Sequence, residues 1–253
     1  MKSNYTLTIG WLYPELMNIY GDRGNIVCLT KRAQWRGIKA EVKELNVGFD
    51  HKQLATCDLL VMGGAQDRQQ TIVNKDLARI KPILSAMIED GTPGLYVCGG
   101  FQFLGKYYKE ADGRIIDGLG IFDLYTENPG ENVPRLIGNI AVQANIKNTG
   151  YKILNTDIVG FENHGGRTFL GKKVKPFGKV LKGYGNNGKD QTEGAIYKNG
   201  FGTYLHGPIL PKNPHFADHL IKLALKIDEL PELDDKLELL AHSAIAKRLQ
   251  IEI

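Results

Sequence analysis

The sequence predicts an α/β protein built around a mostly parallel sheet. Short apolar runs alternate with helical patterns through the first hundred residues, which is the order that a doubly wound parallel sheet requires. The 253 residues are 42% hydrophobic and 24% charged, an ordinary globular balance that excludes disordered, collagen-like and disulfide-scaffold proteins. Because the chain shows no internal repeat and no low-complexity linker, we expect a single domain over residues 1–253.

The elements of the first hundred residues follow from periodicity and from the residues that end them. Ile26, Leu29 and Ala33 have helical spacing, and Gly37 follows where a helix commonly ends. In chain order we predict a strand over Tyr5–Leu12, a helix over Gly24–Arg36, strands over Ile38–Leu45 and Asp58–Met62, a helix over Asp67–Glu89 broken before Pro82, and a strand over Pro93–Val97.

After Tyr108 glycines become frequent and helical periodicity is lost. Arg135–Ala144 and Asp157–Asn163 are predicted strands of a second, mixed part of the sheet, and Phe201–Leu205 is predicted to continue it. The chain ends in a leucine-rich segment, at about residues 213–253, whose apolar positions have helical spacing.

Charge, cysteine content and hydropathy exclude several functional classes. A net charge of +4 is too small to indicate nucleic-acid binding. The first residues lack a signal-peptide pattern, and no apolar run approaches the roughly 20 residues that a bilayer span needs, so we expect a cytoplasmic protein without a membrane span. The three cysteines form no C-x-x-C pair, which argues against a disulfide framework and a zinc ribbon.

The strongest chemical signal surrounds Cys98. A buried strand stops at this cysteine, two glycines follow, and a helical segment begins at once. Such a strand-to-helix turn lifts a nucleophile out of the sheet, and adjacent backbone N–H groups can stabilise an oxyanion. A buried structural cysteine is the alternative, and it fits Cys28 and Cys57 better than Cys98.

Two other patterns are rejected. Gly100–Lys106 has the glycine and lysine spacing of a P-loop, but Tyr107 stands where Ser or Thr must hold magnesium. His215 and His219 have the spacing of a zinc site, but Phe216 occupies the place of the metalloprotease glutamate and no third ligand is evident. We therefore expect neither nucleotide nor metal on this chain.

A cysteine nucleophile needs a base, and two histidines compete for that role. His206 lies at the end of a predicted strand, where α/β sheets place their sites. His164 lies among glycines at the end of another strand. Spacing alone does not decide between them, and either could be a hydrogen-bonded structural residue.

Several motifs resemble a known family. Cys98–Gln102 matches the C-x-G-x-Q nucleophile motif of class I glutamine amidotransferases, and Gly63–Gly64 resembles their oxyanion loop. Gly160–Thr168 and Tyr204–Pro208 resemble the cobyric acid synthase-like branch. Within that branch the resemblance is to the glutaminase subunits of lipid II isoglutaminyl synthases, and it is strengthened by Tyr184–Asn187 and Leu205–Pro211.

The resemblance implies a flavodoxin-like three-layer α/β fold with a mostly parallel sheet, and it implies a role for individual residues. Cys98 would attack the side-chain amide of glutamine to form a thioester, and His206 would move the protons. The implied oxyanion donors are the backbone N–H groups of Gly64 and Gly99, and the implied substrate-binding residues are Gln102 and Arg135. A solvated strand arginine is the alternative for Arg135.

One position departs from the broad class. Many class I glutaminases have a glutamate two residues after the catalytic histidine, whereas this chain has Pro208. Asp22 and Glu162 are the possible orienting acids, and a Cys/His dyad without a third member is the alternative.

The resemblance also implies a partner. Ammonia would pass to a Mur ligase-like synthetase subunit (MurT), which would use ATP and Mg to activate the α-carboxyl of D-glutamate in lipid II, giving D-isoglutamine in peptidoglycan. No cofactor is expected on this chain, because thioester chemistry needs only nucleophile, base and oxyanion donors. A glutaminase for cobyrinate-type amidation is one alternative, although it would normally be fused to a synthetase domain. A non-catalytic glutamine-sensing scaffold on the same fold is the other.

Overall fold

The predicted alternation of strands and helices is present in the computed structural model, which describes residues 5–65, 67–146 and 157–251. The strands are β1 (Thr6–Leu12), β2 (Lys39–Leu45), β3 (Leu59–Met62), β4 (Gly94–Val97), β5 (Tyr107–Lys109), β6 (Ile115–Asp117), β7 (Leu124–Glu127), β8 (Leu136–Ala144), β9 (Asp157–His164), β10 (Arg167–Leu170), β11 (Gly178–Lys182), β12 (Thr192–Glu193), β13 (Ala195–Tyr197), β14 (Gly200–Thr203) and β15 (Leu205–His206). The α-helices are α1 (Arg23–Trp35), α2 (His51–Leu54), α3 (Asp67–Glu89), α4 (Gly99–Leu104), α5 (Pro214–Leu225) and α6 (Lys236–Leu249).

The central sheet has the strand order β13-β14-β4-β3-β1-β2. All neighbouring strands in it are parallel except β13, which is antiparallel to β14. The four strands predicted in the first hundred residues are confirmed, each beginning one residue later than predicted. Every residue of β3 and β4 is buried, as continuous apolar runs in a sheet covered on both faces require.

The predicted break in the long helix before Pro82 is wrong, because α3 continues through this proline. A proline inside a helix costs about 3 kcal/mol. The helix buries one stripe of side chains completely, and that stripe lies on both sides of the proline: Leu77, Ile80, Leu84 and Ile88. Burial of each such side chain contributes roughly 1.5–3 kcal/mol, so packing of the stripe outweighs the proline penalty.

The glycine-rich half of the chain forms separate sheets, which corrects the prediction of a mixed continuation of the central sheet. Strands β8 and β9 are paired antiparallel in a five-stranded sheet of order β12-β11-β8-β9-β15. A four-stranded sheet of order β10-β7-β5-β6 was not predicted; three of its strands precede β8 in sequence and β10 follows β9. These strands are short and alternate in burial, so their sequence signal is weak.

The predicted strand Phe201–Leu205 is divided between two sheets. Its first part belongs to β14, where Thr203 is paired with Val97 of β4 in the central sheet. Its last residue begins β15, where Leu205 is paired with Glu162 of the antiparallel sheet. The chain thus crosses from one sheet to the other immediately before His206.

The predicted helical C-terminal segment is confirmed as α5 and α6. Arg32 of α1 is fully buried and holds both helices through two carboxylates, with Nε 2.6 Å from Asp218 Oδ1 and Nη1 2.5 Å from Asp235 Oδ1. Arg36 adds a 2.6 Å contact to Asp218. Bidentate pairs of this kind fix the orientation of the segments that carry them. Within the described ranges, each helix is too short or too polar to cross a membrane.

Candidate active site

Cys98 occupies the sharp turn between β4 and α4. Its backbone has φ 52° and ψ −107°, a conformation that non-glycine residues rarely adopt and that costs on the order of 1–3 kcal/mol. The surrounding backbone fixes this turn, since the Cys98 N–H donates to the Thr203 carbonyl at 2.8 Å and the Gly100 N–H to the Gly63 carbonyl at 3.1 Å. A Cβ at Gly100 would lie 2.8 Å from the Met62 carbonyl oxygen, so the close approach requires glycine. Cys98 is half-buried.

His206 lies next to Cys98, although the two residues belong to different sheets. The histidine is fully buried in β15. The positions of both residues relative to Gly64 show that they are neighbours. A Cβ built on Gly64 would lie 3.3 Å from Cys98 Cβ and 3.3 Å from His206 Cε1. Gly64 therefore stands beside both residues, and a side chain there would press against the nucleophile and the imidazole.

Asp22, just before α1, faces the same histidine. Its Oδ1 lies 3.7 Å from His206 Nδ1, within ion-pair range but longer than a hydrogen bond. Its Oδ2 accepts the Gly64 N–H at 2.7 Å, and the aspartate is 1% exposed. The structure thus brings Cys98, His206, Asp22 and Gly64 together.

The protonation of His206 reflects these neighbours. Burial lowers the pKa of the imidazole, but its interactions with the neighbouring Cys98 sulfur and Asp22 carboxylate outweigh burial and raise the pKa to about 10. Consequently His206 is an imidazolium at neutral pH.

The predicted oxyanion donor Gly64 needs a correction. Its N–H is directed to Asp22 Oδ2, so it could serve an oxyanion only if that contact broke. Gly99 begins α4, and a Cβ on it would lie 3.1 Å from the Ala65 backbone nitrogen. The structure therefore places two backbone nitrogens, those of Gly99 and Ala65, beside the nucleophile turn, and no motif in the sequence indicated Ala65.

Glu162 and His164 lie together and away from the Cys98–His206 pair. In the β9–β15 ladder His206 is opposite Phe161, so the neighbouring Glu162 projects from the other face. Both Glu162 oxygens accept backbone N–H groups, at 2.7 Å and 2.9 Å. His164 Nδ1 lies 2.8 Å from the Gly166 carbonyl and Nε2 3.7 Å from Glu162 Oε2. Burial lowers the pKa of His164. This geometry favours His206 as base and Asp22 as orienting acid.

Gln102 belongs to a buried polar network that the sequence did not reveal. Its Nε2 donates to the Tyr204 hydroxyl at 3.1 Å, and that hydroxyl lies 2.7 Å from Thr168 Oγ1, which is itself 2.7 Å from Thr126 Oγ1. The Tyr204 ring is stacked on His164 with 3.7 Å between centroids. The network anchors the helix that follows Cys98 to β7 and β10 of the four-stranded sheet.

Arg135 is exposed and precedes β8. Its Nε donates to Asn163 Oδ1 and its Nη2 to the Asn163 carbonyl, each at 2.9 Å. Arg135 and Gln102 both lie against the turn between β9 and β10. A Cβ at Gly165 would lie 3.3 Å from Arg135 Nη1, and a Cβ at Gly166 would lie 2.8 Å from Gln102 Nε2. Both predicted substrate-binding residues thus border one turn.

The described ranges contain no group of three or more histidine, cysteine or acidic side chains arranged to hold a metal ion. The rejected pair His215 and His219 is half-buried. Burial lowers the pKa of each to about 4, and His219 packs edge-on against Phe201 at 5.8 Å between centroids.

The fold and the elbow cysteine define a glutamine amidotransferase class. A solved structure entitled "Crystal structure of glutamine amidotransferase" superposes with a TM-score of 0.58 over 85% of this chain and 98% of that one, at 15% identity, which shows the fold. Residues 8–214 match the model of the CobB/CobQ-like glutamine amidotransferase domain. The chain belongs to this family.

Curated relatives within the family bear two kinds of name. The GatD subunit of lipid II isoglutaminyl synthase (glutamine-hydrolyzing) from Staphylococcus aureus (strain N315) is 43% identical over 96% of both chains. The GatD subunit from Streptococcus pneumoniae (strain ATCC BAA-255 / R6) is 42% identical, over 88% of this chain and 82% of that one. A probable cobyric acid synthase from Methanococcus maripaludis is 32% identical over 83% of this chain but only 42% of its own length.

Proposed function

We propose that this protein is the glutaminase subunit of a lipid II isoglutaminyl synthase. The observation that carries glutamine hydrolysis is the convergence of Cys98, His206 and Asp22 around Gly64, because it joins an elbow thiol to a charged imidazole. The choice of acceptor is supported by the two relatives named GatD, which this chain matches over most of both lengths.

The reaction uses residues of this chain only. Cys98 sulfur attacks the side-chain carbonyl carbon of L-glutamine, and the backbone N–H groups beside the turn stabilise the oxyanion. His206, already protonated, gives its proton to the departing ammonia, and the C–N bond breaks to leave a thioester. Water then adds to the thioester carbonyl with His206 as base, the C–S bond breaks, and glutamate leaves with Cys98 free and His206 protonated again. Gln102 and Arg135 would hold the substrate.

The ammonia would be used by a Mur ligase-like synthetase subunit (MurT) that binds ATP and Mg. Free ammonia is mostly protonated at neutral pH and is then a poor nucleophile, so a direct route between the two subunits is favoured over release into water. The acceptor would be the α-carboxyl of D-glutamate in lipid II, and the product D-isoglutamine in peptidoglycan.

The test is reconstitution with purified components. We expect glutamine-dependent amidation of lipid II only when this chain, a Mur ligase-like subunit and ATP are all present, and none when Cys98→Ala replaces the wild-type chain. Exogenous ammonium at high concentration should restore amidation with that variant, because the synthetase is intact. Amidation of an acceptor by this chain alone would contradict the two-subunit proposal.

Cobyrinate-type amidation is the second candidate, because cobyric acid synthases match the same domain. Replacing lipid II by a cobyrinate acceptor in the same assay separates the two proposals. A non-catalytic glutamine sensor would bind glutamine without releasing ammonia in either assay.

A further inference from the structure

The nucleophile and the base are connected through a short stretch of chain, Thr203–Leu205, which we call the crossover. Thr203 ends β14 in the central sheet, and Leu205 begins β15 in the antiparallel sheet. The Thr203 carbonyl accepts the Cys98 N–H at 2.8 Å, and His206 directly follows Leu205. The conformation of the crossover therefore sets where the imidazole lies relative to the sulfur.

Glu193 of β12 holds the crossover. Its Oε1 accepts the Thr203 hydroxyl at 2.7 Å and the Tyr204 N–H at 2.8 Å. The Thr203 hydroxyl oxygen in turn accepts the Leu205 N–H at 3.0 Å. One carboxylate oxygen and one hydroxyl thus satisfy three donors at a place where the chain leaves one ladder before joining the next.

The carboxylate itself is held rigidly. Glu193 is fully buried, and burial raises its pKa to about 7 while the crossover hydrogen bonds oppose that shift. The next residue, Gly194, donates its N–H to Asn186 Oδ1 at 2.8 Å, and its carbonyl accepts from Asn186 Nδ2 at 3.0 Å. A Cβ on Gly194 would lie 2.2 Å from the Gly202 carbonyl, so glycine lets β12 approach β14 this closely.

A buried carboxylate is a costly way to satisfy backbone donors, since a neutral acceptor would avoid the desolvation of a charge. In its ionised form Glu193 accepts hydrogen bonds that are, however, about twice as strong as those to a neutral acceptor. A buried carboxylate acceptor is therefore suited to an active site whose reacting groups must be held accurately, because a misplacement of about 1 Å can reduce the catalytic rate roughly 100-fold.

We propose that Glu193 is a positioning residue for glutamine hydrolysis: by holding Thr203 and Tyr204 it fixes His206 against Cys98. The inference rests on the proposed function, in which these two residues act as base and nucleophile. Glu193 acts through the crossover and has no contact with substrate in this role.

The test compares Glu193→Leu, which deletes the acceptor, with Glu193→Gln, which keeps an oxygen acceptor in the same shape. Thr203→Val removes only the hydroxyl relay. Ile88→Ala serves as the control, because Ile88 is fully buried on α3, near the opposite end of β4 from Cys98, and its truncation weakens packing there. For each protein we would measure Tm, kcat and KM for glutamine, and the rate of Cys98 alkylation by iodoacetamide at pH 7, followed by peptide mass spectrometry.

We expect Glu193→Leu to lower kcat roughly 10- to 100-fold with KM nearly unchanged, and to slow Cys98 alkylation in parallel, because the imidazolium no longer faces the sulfur correctly. Glu193→Gln should keep both kcat and the alkylation rate within about fivefold of the wild-type values. The losses in Thr203→Val should be intermediate between those of Glu193→Gln and Glu193→Leu. Ile88→Ala should lower Tm without changing either rate. If Glu193→Leu does not fold, Thr203→Val and Glu193→Gln decide the question.

Two results would overturn the positioning role. One is wild-type kcat and alkylation in folded Glu193→Leu or Thr203→Val. The other is an equal loss in Ile88→Ala at matched Tm, which would mark the effect as loss of stability. Alkylation needs no glutamine, so it separates this inference from the proposed function. Failure of the wild-type chain to release ammonia from glutamine even with the synthetase subunit and ATP present overturns the proposed function, while a Glu193-dependent alkylation rate would still support the positioning role.

Discussion

The central parallel sheet and the five-stranded antiparallel sheet each supply one half of the candidate site, and they position it in different ways. Cys98 is placed by its own turn, at the end of a fully buried parallel strand. His206 lies in a two-residue strand whose position depends on β9 and on the crossover. The nucleophile is therefore set by local structure and the base by tertiary contacts, which predicts different responses to mutation on the two sides.

The largest effect is expected from the reacting groups. Cys98→Ala should reduce ammonia release from glutamine by roughly 10³-fold or more and leave the fold intact, because it deletes the nucleophile at a turn built from small residues. His206→Ala should be nearly as severe, and His164→Ala milder, since His164 faces Glu162 and Gly166. A greater loss in His164→Ala than in His206→Ala would move the role of base to the other histidine.

The orienting acid can be tested with two isosteric changes. Asp22→Asn should lower kcat roughly 10- to 100-fold, because it removes the charge beside His206 while an amide oxygen can still accept the Gly64 N–H. Glu162→Gln is the matched control, since Glu162 lies on the opposite face of the β9–β15 ladder. Steady-state kinetics with glutamine distinguish the two. Equal losses would contradict the assignment of Asp22, and a loss confined to Glu162→Gln would reverse it.

Arg135→Ala tests binding without touching the reacting pair. We expect KM for glutamine to rise roughly tenfold or more, as loss of a charged hydrogen-bond donor to a carboxylate implies, with alkylation of Cys98 by uncharged iodoacetamide preserved. Equal loss of glutamine use and alkylation would show instead that the site had moved.

A further expected effect is on the pH dependence of stability. The pKa of His206 is about 10 in the folded protein against 6.5 for an unperturbed histidine, so its stabilisation is complete below pH 6.5 and is lost as the pH rises through 10. The difference in unfolding free energy between wild type and His206→Gln, measured with urea, should therefore shrink from pH 6.5 to 10. A difference that grows with pH would show that the folded protein holds His206 neutral.

The same contrast explains how much the sequence could predict. Strands β1, β3 and β4 were predicted to within a residue because they are apolar runs buried by their neighbours. The edge strand β2 is mostly exposed and was predicted from the alternation of its residues. Cys98 was predicted for the same reason, since its motif follows such a strand. Strands β5 to β7 and β10 to β13 are short and half-buried, so periodicity does not reveal them.

The parts of the candidate site that the sequence did not predict also depend on tertiary contacts that local patterns do not encode. Glu193 was not predicted because its role depends on β12 meeting the crossover, a contact that no local pattern encodes. The choice between Asp22 and Glu162 stayed open because it depends on which face of β9 a residue occupies relative to β15. The engagement of the Gly64 N–H by Asp22 is likewise a tertiary contact between residues 42 positions apart.

The most direct test of the Cys98–His206 pair is covalent labelling by a glutamine-analogue electrophile, such as 6-diazo-5-oxo-L-norleucine, followed by peptide mass spectrometry. The chain contains its own controls, because burial raises the pKa of the Cys28 thiol to about 12 and that of Cys57 to about 11, which keeps both protonated and unreactive. The account predicts one adduct, on Cys98, protected by glutamine and strongly slowed in His206→Ala. Labelling of Cys28 or Cys57 instead, or labelling of Cys98 at the same rate without His206, would contradict it.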